Sequence, residues 1–386
     1  MKMKPLTEFC ALNMGQSPSS ETYNDENVGL PFFQGNADFG EVHPKVRIWC
    51  SSPVKVAAAG DILISVRAPI GAMNIANTPC CIGRGLAALS PNPGTCVQEY
   101  LYYALQSRID SLIAQGTGST FKAIGKKTLE DTQIPAYSLD EQQIITDTLS
   151  ETDQLITKTK AQVSLLDQLV KSRFVEMFGA PITNKMGWPC LSLVKTCKAI
   201  LGGGTPSKSH PEYFTGGIPW VSPKDMKYAV ISDSIDHITE EAVAHSTTNL
   251  VPKNSVLMVI RSGILKHTLP VAINSVPVTI NQDMKAFVPG NGVITEFLMY
   301  YFKAIESDVL AGVRGVTADN IDFKAFQQRT IIVPPLELQN RFAAFVAEVD
   351  KSKFSIQKSL STSRKLWTLA RIDVIMNMDF STQRSL

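Results

Sequence analysis

Between Leu139 and Phe178 the chain carries neither glycine nor proline, and Ile145, Leu149, Ile156, Val163, Leu166, Val170 and Met177 recur there at helical spacing. Thr152, Thr159 and Arg173 complete an alternating four-three pattern, the heptad seam of a helix made to lie along another helix. A second such stretch follows Pro335, where Phe342, Val349 and Ile356 recur every seven residues, as do Val346, Lys353, Leu360, Trp367 and Val374. Each stretch opens behind a proline-bearing segment, Ile134-Pro135-Ala136-Tyr137-Ser138 or Val333-Pro334-Pro335, which ends a strand and starts a helix. The pattern predicts two long amphipathic helices that pack along each other through Ile145, Leu149, Ile156, Val163, Leu166 and Val170 on one side and Phe342, Val349, Ile356, Leu360 and Trp367 on the other.

The remaining sequence changes period. Residues 1–138 mix short β-rich runs (Asp61 to Val66, Leu86 to Leu89) with proline and glycine punctuation and a helix-like stretch from Glu99 to Ala114. Residues 185–334 read the same way, with strands near Ser255 to Ile260 and Met284 to Val288 and a helix near Thr295 to Leu310. Both are α/β (α+β) domains with a modest sheet. The predicted order is domain 1–138, helix 139–184, domain 185–334 and helix 335–378, the helices forming an antiparallel coiled coil in a pseudo-twofold repeat.

The repeat is also written in the residues. Gly15-Gln16-Ser17-Pro18-Ser19 answers to Gly203-Gly204-Thr205-Pro206-Ser207, and Leu30-Pro31-Phe32-Phe33 to Ile218-Pro219-Trp220-Val221. Further on, the run Asp61 to Arg67 meets Ser255 to Arg261, and Glu99-Tyr100-Leu101 meets Glu296-Phe297-Leu298. Gly118-Ser119-Thr120 meets Gly315-Val316-Thr317, Leu139-Asp140 meets Leu336-Glu337, and Gln142 and Asp153 match Gln339 and Asp350. A period this long exceeds the 20–50 residues of solenoids and propellers, so each copy is a domain-sized unit with its own core.

Composition agrees: 386 residues, 44% hydrophobic and 19% charged, suit an ordinary globular protein with material for two cores. The seven cysteines are odd in number, lack CxxC spacing and do not repeat between halves, which points to reduced thiols. No apolar segment follows Met1-Lys2-Met3-Lys4-Pro5, and no run approaches the roughly 18 apolar residues of a membrane span, so a cytoplasmic protein making no membrane crossing is expected.

Catalytic constellations are missing from the sequence. His43, His210, His237, His245 and His267 show no metal spacing. Gly202-Gly203-Gly204-Thr205-Pro206 lacks the Gly-Lys-Ser/Thr of a phosphate loop and reads as a turn. No Asn-Pro-Pro-Tyr-like stretch marks an amino-methyltransferase, and Glu130-Asp131 and Glu240-Glu241 have no second ligand or base nearby.

Domain, proline-led helix, domain, proline-led helix resembles the DNA-specificity subunits of type I restriction-modification systems over nearly the whole chain. The resemblance rests on Gly204-Thr205-Pro206-Ser207, Gly217-Ile218-Pro219-Trp220-Val221, Ile280-Asn281-Gln282 and Val333-Pro334-Pro335-Leu336 with Gln339 in the second half, and on Gly15-Gln16-Ser17-Pro18, Leu30-Pro31-Phe32 and Leu139-Asp140-Glu141-Gln142 in the first. The first half departs from the pattern with Ile82-Gly83-Arg84 in place of Ile280-Asn281-Gln282.

The resemblance implies a non-catalytic reader of a split double-stranded DNA target, partnered by modification (methyltransferase) subunits and ATP-dependent restriction subunits. S-adenosylmethionine, ATP and Mg would belong to those partners. At ~1.5 Å per residue, roughly 33 helical residues reach about 50 Å, more than one DNA turn of about 34–36 Å. A formal charge of +2 requires the basic residues of any DNA contact to be concentrated locally or supplied by another subunit. The candidates are Arg67, Arg84, Lys122, Lys126 and Lys127 in one domain and Arg261, Lys266, Gln282, Arg314 and Lys324 in the other. Arg and Gln can pair bidentately with guanine and adenine edges, whereas Lys more often anchors phosphate. A solvated surface charge is the alternative for each, and a shared structural ion pair for Arg67 and Arg261. Phe32, Phe33 and Trp220 read as core. A specificity subunit of a fused restriction-methyltransferase enzyme, or a two-domain protein scaffold without DNA contact, would share this layout.

Overall fold

The computed structural model describes residues 2–118, 122–290, 292–313 and 319–377, with side chains described up to Ser361. Its contacts divide the chain into two compact units, residues 1–160 with 358–386, and residues 161–357.

In the first unit an antiparallel sheet runs in the order Cys10–Met14, Leu86–Pro91, Ile62–Ser65, Met73–Ile75. Ile62 to Ser65 are all buried, which explains a continuous apolar run in place of alternation. A second sheet pairs Leu30–Phe33 in parallel with Cys80–Ile82, placing Phe33 opposite Ile82. The core packs Ile62, Ile64, Ala87 and Leu89 against Tyr100 and Leu101, and the start of the first long helix adds Ile145 and Leu149.

The second unit repeats this order with Cys197–Gly202, Met284–Pro289, Val256–Val259 and Val271–Asn274, and adds an edge strand, Val230–Ile231, parallel to the last. Ile218–Val221 again pairs in parallel with its partner, Val221 opposite Ile280. Leu86 faces Ser65 in one unit and Met284 faces Val259 in the other, so the registers coincide and Arg67 and Arg261 occupy one structural position.

Each predicted helix near the middle of a domain is in fact two. Gln98–Gln106 is followed by Ile109–Ala114, and Thr295–Ala304 by Glu306–Ala311. At the first break the Ser107 hydroxyl donates to the Ala104 carbonyl (2.7 Å), a local bond that competes with the helical ladder. Apolar periodicity continues across such a bend.

The long helices are Leu139–Phe178 and Leu336–Asn377; the first stops short of the expected residue 184, ended by Gly179 in the left-handed region (φ 77°) and by Pro181. Ile145, Leu149 and Ile156 are buried in the first, as is Val170, while Val163 and Leu166 are half-buried. Phe342 and Val349 are buried in the second and Ile356 and Leu360 half-buried; the Trp367 side chain lies outside the described residues. Within the second unit the helices run antiparallel: Asp167 pairs with Lys353 (2.6 Å), the Arg173 guanidinium lies 5.7 Å from the Phe345 ring centroid, and Phe174 meets Phe342 at 5.4 Å.

The seam predicted at Arg173 and Met177 shifts by one residue. Phe174 and Phe178 are the buried pair there, and each packs against Phe297 and Phe342 at centroid distances of 5.0–5.6 Å. An α-helix drifts about 20° per heptad against a strict seven-residue repeat, so four heptads after Ile145 the inward face has moved by nearly one residue.

The paired glutamines found in the sequence are clamps. Gln142 is fully buried; its Oε1 accepts from the Val97 amide and its Nε2 donates to the Thr95 and Tyr137 carbonyls. Gln339, also fully buried, takes the Ile294 amide and gives to the Gly292 and Pro334 carbonyls. Each thereby fastens the first turn of a long helix to the loop that opens the domain's own helix. All seven cysteines are free and six are buried; burial pushes Cys10, Cys80 and Cys96 up to about 12. No described helix is long and apolar enough to cross a membrane.

Candidate nucleic-acid interface

The same loop-and-strand end is built twice. The Gly-x-Ser/Thr-Pro segment crosses the turn between the parallel strand and the central antiparallel strand, residues 82–86 in one unit and 280–284 in the other. A Cβ on Gly15 would lie 2.2 Å from the Gly83 oxygen, and one on Gly203 would lie 1.9 Å from the Asn281 oxygen, so only glycine permits the approach. Ser17 and Thr205 then meet equivalent residues: the Arg84 amide donates to Ser17 Oγ (3.3 Å), and the Thr205 hydroxyl donates to Gln282 Oε1.

The other border is also duplicated. Arg67 bridges to Ala123 and Arg261 to Asn320. The Ile124 amide donates to Val66 O and the Ile321 amide to Ile260 O, both at 2.9 Å, while Ala68 and Ser262 donate to the carbonyls of Lys122 and Asp319 at 3.0 Å. Lys122 in the first unit therefore stands where Asp319 stands in the second.

On this shared backbone the charges differ. Arg67 and Arg84 line one surface cavity of ≈ 180 Å³ with Ser17, Gln34, Gly35, Asn36, Ala68 and Gly85. Arg67, Arg84 and Lys122 are exposed, and among the described residues none of them is ion-paired. In the second unit Arg261 is held by Asp283 (2.6 Å) and Lys266 approaches Asp319 (3.9 Å), so the two cations are matched by two carboxylates. Asp283 is itself fixed by Asn281, whose side chain both donates to its carboxylate and accepts from its amide, each at 3.1 Å.

Gly85 stands where Asp283 stands, and the reason is steric. A Cβ there would be 2.3 Å from the Gln34 carbonyl oxygen, so no carboxylate can be mounted beside Arg67. That wall is held by buried Asp38, which accepts from the Gln34 amide (2.7 Å) and the Gly35 amide (3.3 Å) and is ion-paired with Arg47.

The remaining candidates lie apart from this cavity. Lys126 and Lys127 sit on the short helix Lys126–Glu130 and pair with Glu130 (3.3 Å) and Asp131 (3.5 Å). Lys324, on the helix Phe323–Gln327, lines a groove of ≈ 800 Å³ with Lys285 and Asn320. Arg314 lies outside the described residues. Phe32 and Phe33 are core, each 2% exposed, and the half-buried Trp220 indole donates to the Gly204 carbonyl (3.0 Å). Sequence reading missed Gln34, Asn36, Asp283 and Asp319. Carrying the repeat through the turn would have set Asp283 against Gly85 and Asp319 against Lys122.

A family model described as the type I restriction modification DNA specificity domain matches residues 1–165 and 195–363. A type I restriction enzyme specificity subunit from Escherichia coli is 41% identical over 162 residues, 41% of this chain and 40% of that protein. A putative specificity subunit from Methanocaldococcus jannaschii is 44% identical over 159 residues, 40% of this chain and 37% of its own length. These two matches take in well under half of either relative. A second M. jannaschii specificity subunit matches at 26% identity over 334 residues, 81% of this chain and 76% of that protein.

Among solved structures, the S subunit of a type I restriction-modification system from M. genitalium aligns with a TM-score of 0.54 over 98% of this chain and 96% of its own. A chain from a structure of type I system assembly and conformational transition aligns at 0.61 over 97% of each. Both are 16% identical, a likeness of fold. With the family match spanning both repeats and most of each long helix, the chain belongs to the type I restriction-modification DNA specificity family.

Proposed function

We propose that this chain is the sequence-reading subunit of a type I restriction-modification complex. Residues 1–138 and 185–334 act as two target-recognition domains on a bipartite double-stranded DNA target, and residues 139–184 and 335–378 act as the helical spacers. The chain is non-catalytic and cytoplasmic. It directs adenine methylation and ATP-dependent cleavage by modification and restriction subunits, which supply S-adenosylmethionine, ATP and Mg.

One observation carries this reading: a single strand-end surface is built twice on matching backbone and bears different polar side chains in each copy, Arg84 against Gln282 and Gly85 against Asp283. A reader of two different half-sites needs a common frame with divergent base-contacting groups, because phosphate contacts position and base contacts specify. The long helices support the partner part. Leu155, Leu165 and Leu169 on the first and Phe354 on the second are 48–70% exposed, apolar positions on helices whose opposite faces are already packed.

A matched heptad inserted after Leu166 and after Phe354 tests the spacer role. Both sites lie on the same side of the Asp167–Lys353 pair, so the antiparallel register is kept. The expected methylated motif keeps both half-sites and changes the number of unspecified base pairs between them. An unchanged spacer refutes the assignment of the helices.

A further inference from the structure

We propose that the Arg67–Arg84 cavity of the first unit reads a guanine in its half-site, and that Asp283 withholds the equivalent arginine of the second unit from the DNA. The inference rests on the DNA-reading function above and adds which base class each copy takes.

Three observations converge on it. The cavity is lined by two guanidinium-bearing residues and the polar side chains of Ser17, Gln34 and Asn36, and both guanidinium groups are exposed and without an ion pair among the described residues. The fork of Arg matches guanine O6 and N7, two acceptors that sit side by side in the major groove. The missing carboxylate is enforced by the fold, since the Gln34 carbonyl fills the space that a side chain at Gly85 would need.

In the second unit the equivalent of Arg84 is Gln282, whose amide is oriented by the Thr205 hydroxyl, and the equivalent of Arg67 is neutralised by Asp283. An oriented Gln amide fits adenine N6 and N7. Asp283 is thus a positioning residue that acts by holding Arg261.

The test uses the complete complex with its modification subunits, S-adenosylmethionine and a DNA library randomised across both half-sites, the motif being read from methylated product. The wild-type motif is expected to contain a G·C pair in one half-site at which Arg84→Ala lowers discrimination by about tenfold to a hundredfold. Arg84→Gln is expected to move that position toward A·T, and neither variant alters the other half-site, which serves as the internal control for folding. Asp283→Asn is expected to steepen the salt dependence of binding by about one counterion, and an unchanged slope overturns the role given to Asp283. Uniform weakening by Arg84→Ala with an unchanged motif marks a phosphate contact and overturns the proposal. A relaxed position that is not G·C, or a motif indifferent to Arg84→Gln, also overturns it. A wild-type complex that assembles and methylates no bipartite motif contradicts the functional reading itself.

Discussion

The two strand-end faces share backbone hydrogen bonds, registers and obligatory glycines, yet the first presents Arg67, Arg84 and Lys122 unpaired among the described residues, whereas the second ties Arg261 to Asp283 and sets Lys266 near Asp319. The difference turns on what each frame has room for. Beside Arg67 the Gln34 carbonyl excludes a side chain, while beside Arg261 the equivalent position carries Asp283, paired with it at 2.6 Å. Small steric choices in a neighbouring turn therefore decide whether a cation faces solvent or a carboxylate. Because an exposed ion pair contributes only ~0–1 kcal/mol to stability, such exchanges can vary with little effect on the fold.

The two repeats differ most in packing at the joint between each domain and its long helix. Phe342 and Ile145 are equivalent, both fully buried, but Phe342 packs against Phe174, Phe178 and Tyr300, whereas Ile145 belongs to the mixed aliphatic and aromatic core of the first unit. Phe342→Ala is expected to destabilise the second unit by about 3–5 kcal/mol, and Ile145→Ala the first by about 2–5 kcal/mol, read from urea unfolding midpoints. Equal and negligible effects would show that the helices are not part of the two cores.

The shared frame predicts matched penalties at the glutamine clamps. Gln142→Ala and Gln339→Ala each strand a half-buried amide, of Val97 or Ile294, and two carbonyls. Thermal unfolding is expected to report a loss of about 1–3 kcal/mol in each. A large effect in one repeat alone would show the likeness to be superficial.

The faces themselves separate in salt titrations of DNA binding. Arg67→Ala is expected to reduce the slope of log K against log salt by about 0.9, and Arg261→Ala by clearly less because its charge is already neutralised by Asp283. Equal slopes for the two variants would remove the electrostatic contrast. Smallest of all, Lys126→Ala and Lys127→Ala are expected to cost only ~0.2–0.5 kcal/mol of stability, the worth of their i,i+4 helix pairs with Glu130 and Asp131. A larger loss in thermal unfolding would give these lysines a role beyond those pairs.

Much of this was legible in the sequence because it depends on periodicity and repetition. The long helices announce themselves through the absence of glycine and proline from Leu139 to Phe178, and the duplicated strands through Asp61 to Arg67 against Ser255 to Arg261. Among the described residues the seam shifts where helical drift accumulates, at Phe174 and Phe178. The interface was less legible. Arg67, Arg84, Arg261 and Gln282 were found as residues following strand signals, but their charge state depends on through-space neighbours such as Asp283, Asp319 and the Gln34 carbonyl. Lys126 and Lys127 looked like a basic cluster until the helix placed Glu130 and Asp131 one turn away.

The central claim, that the chain reads a split DNA target for a modification enzyme, is tested most directly by methylome sequencing of cells that express it with its modification subunit, compared with cells lacking only this chain. A new bipartite motif carrying methyladenine on both strands is expected. No new motif, with the complex shown to assemble, would contradict it.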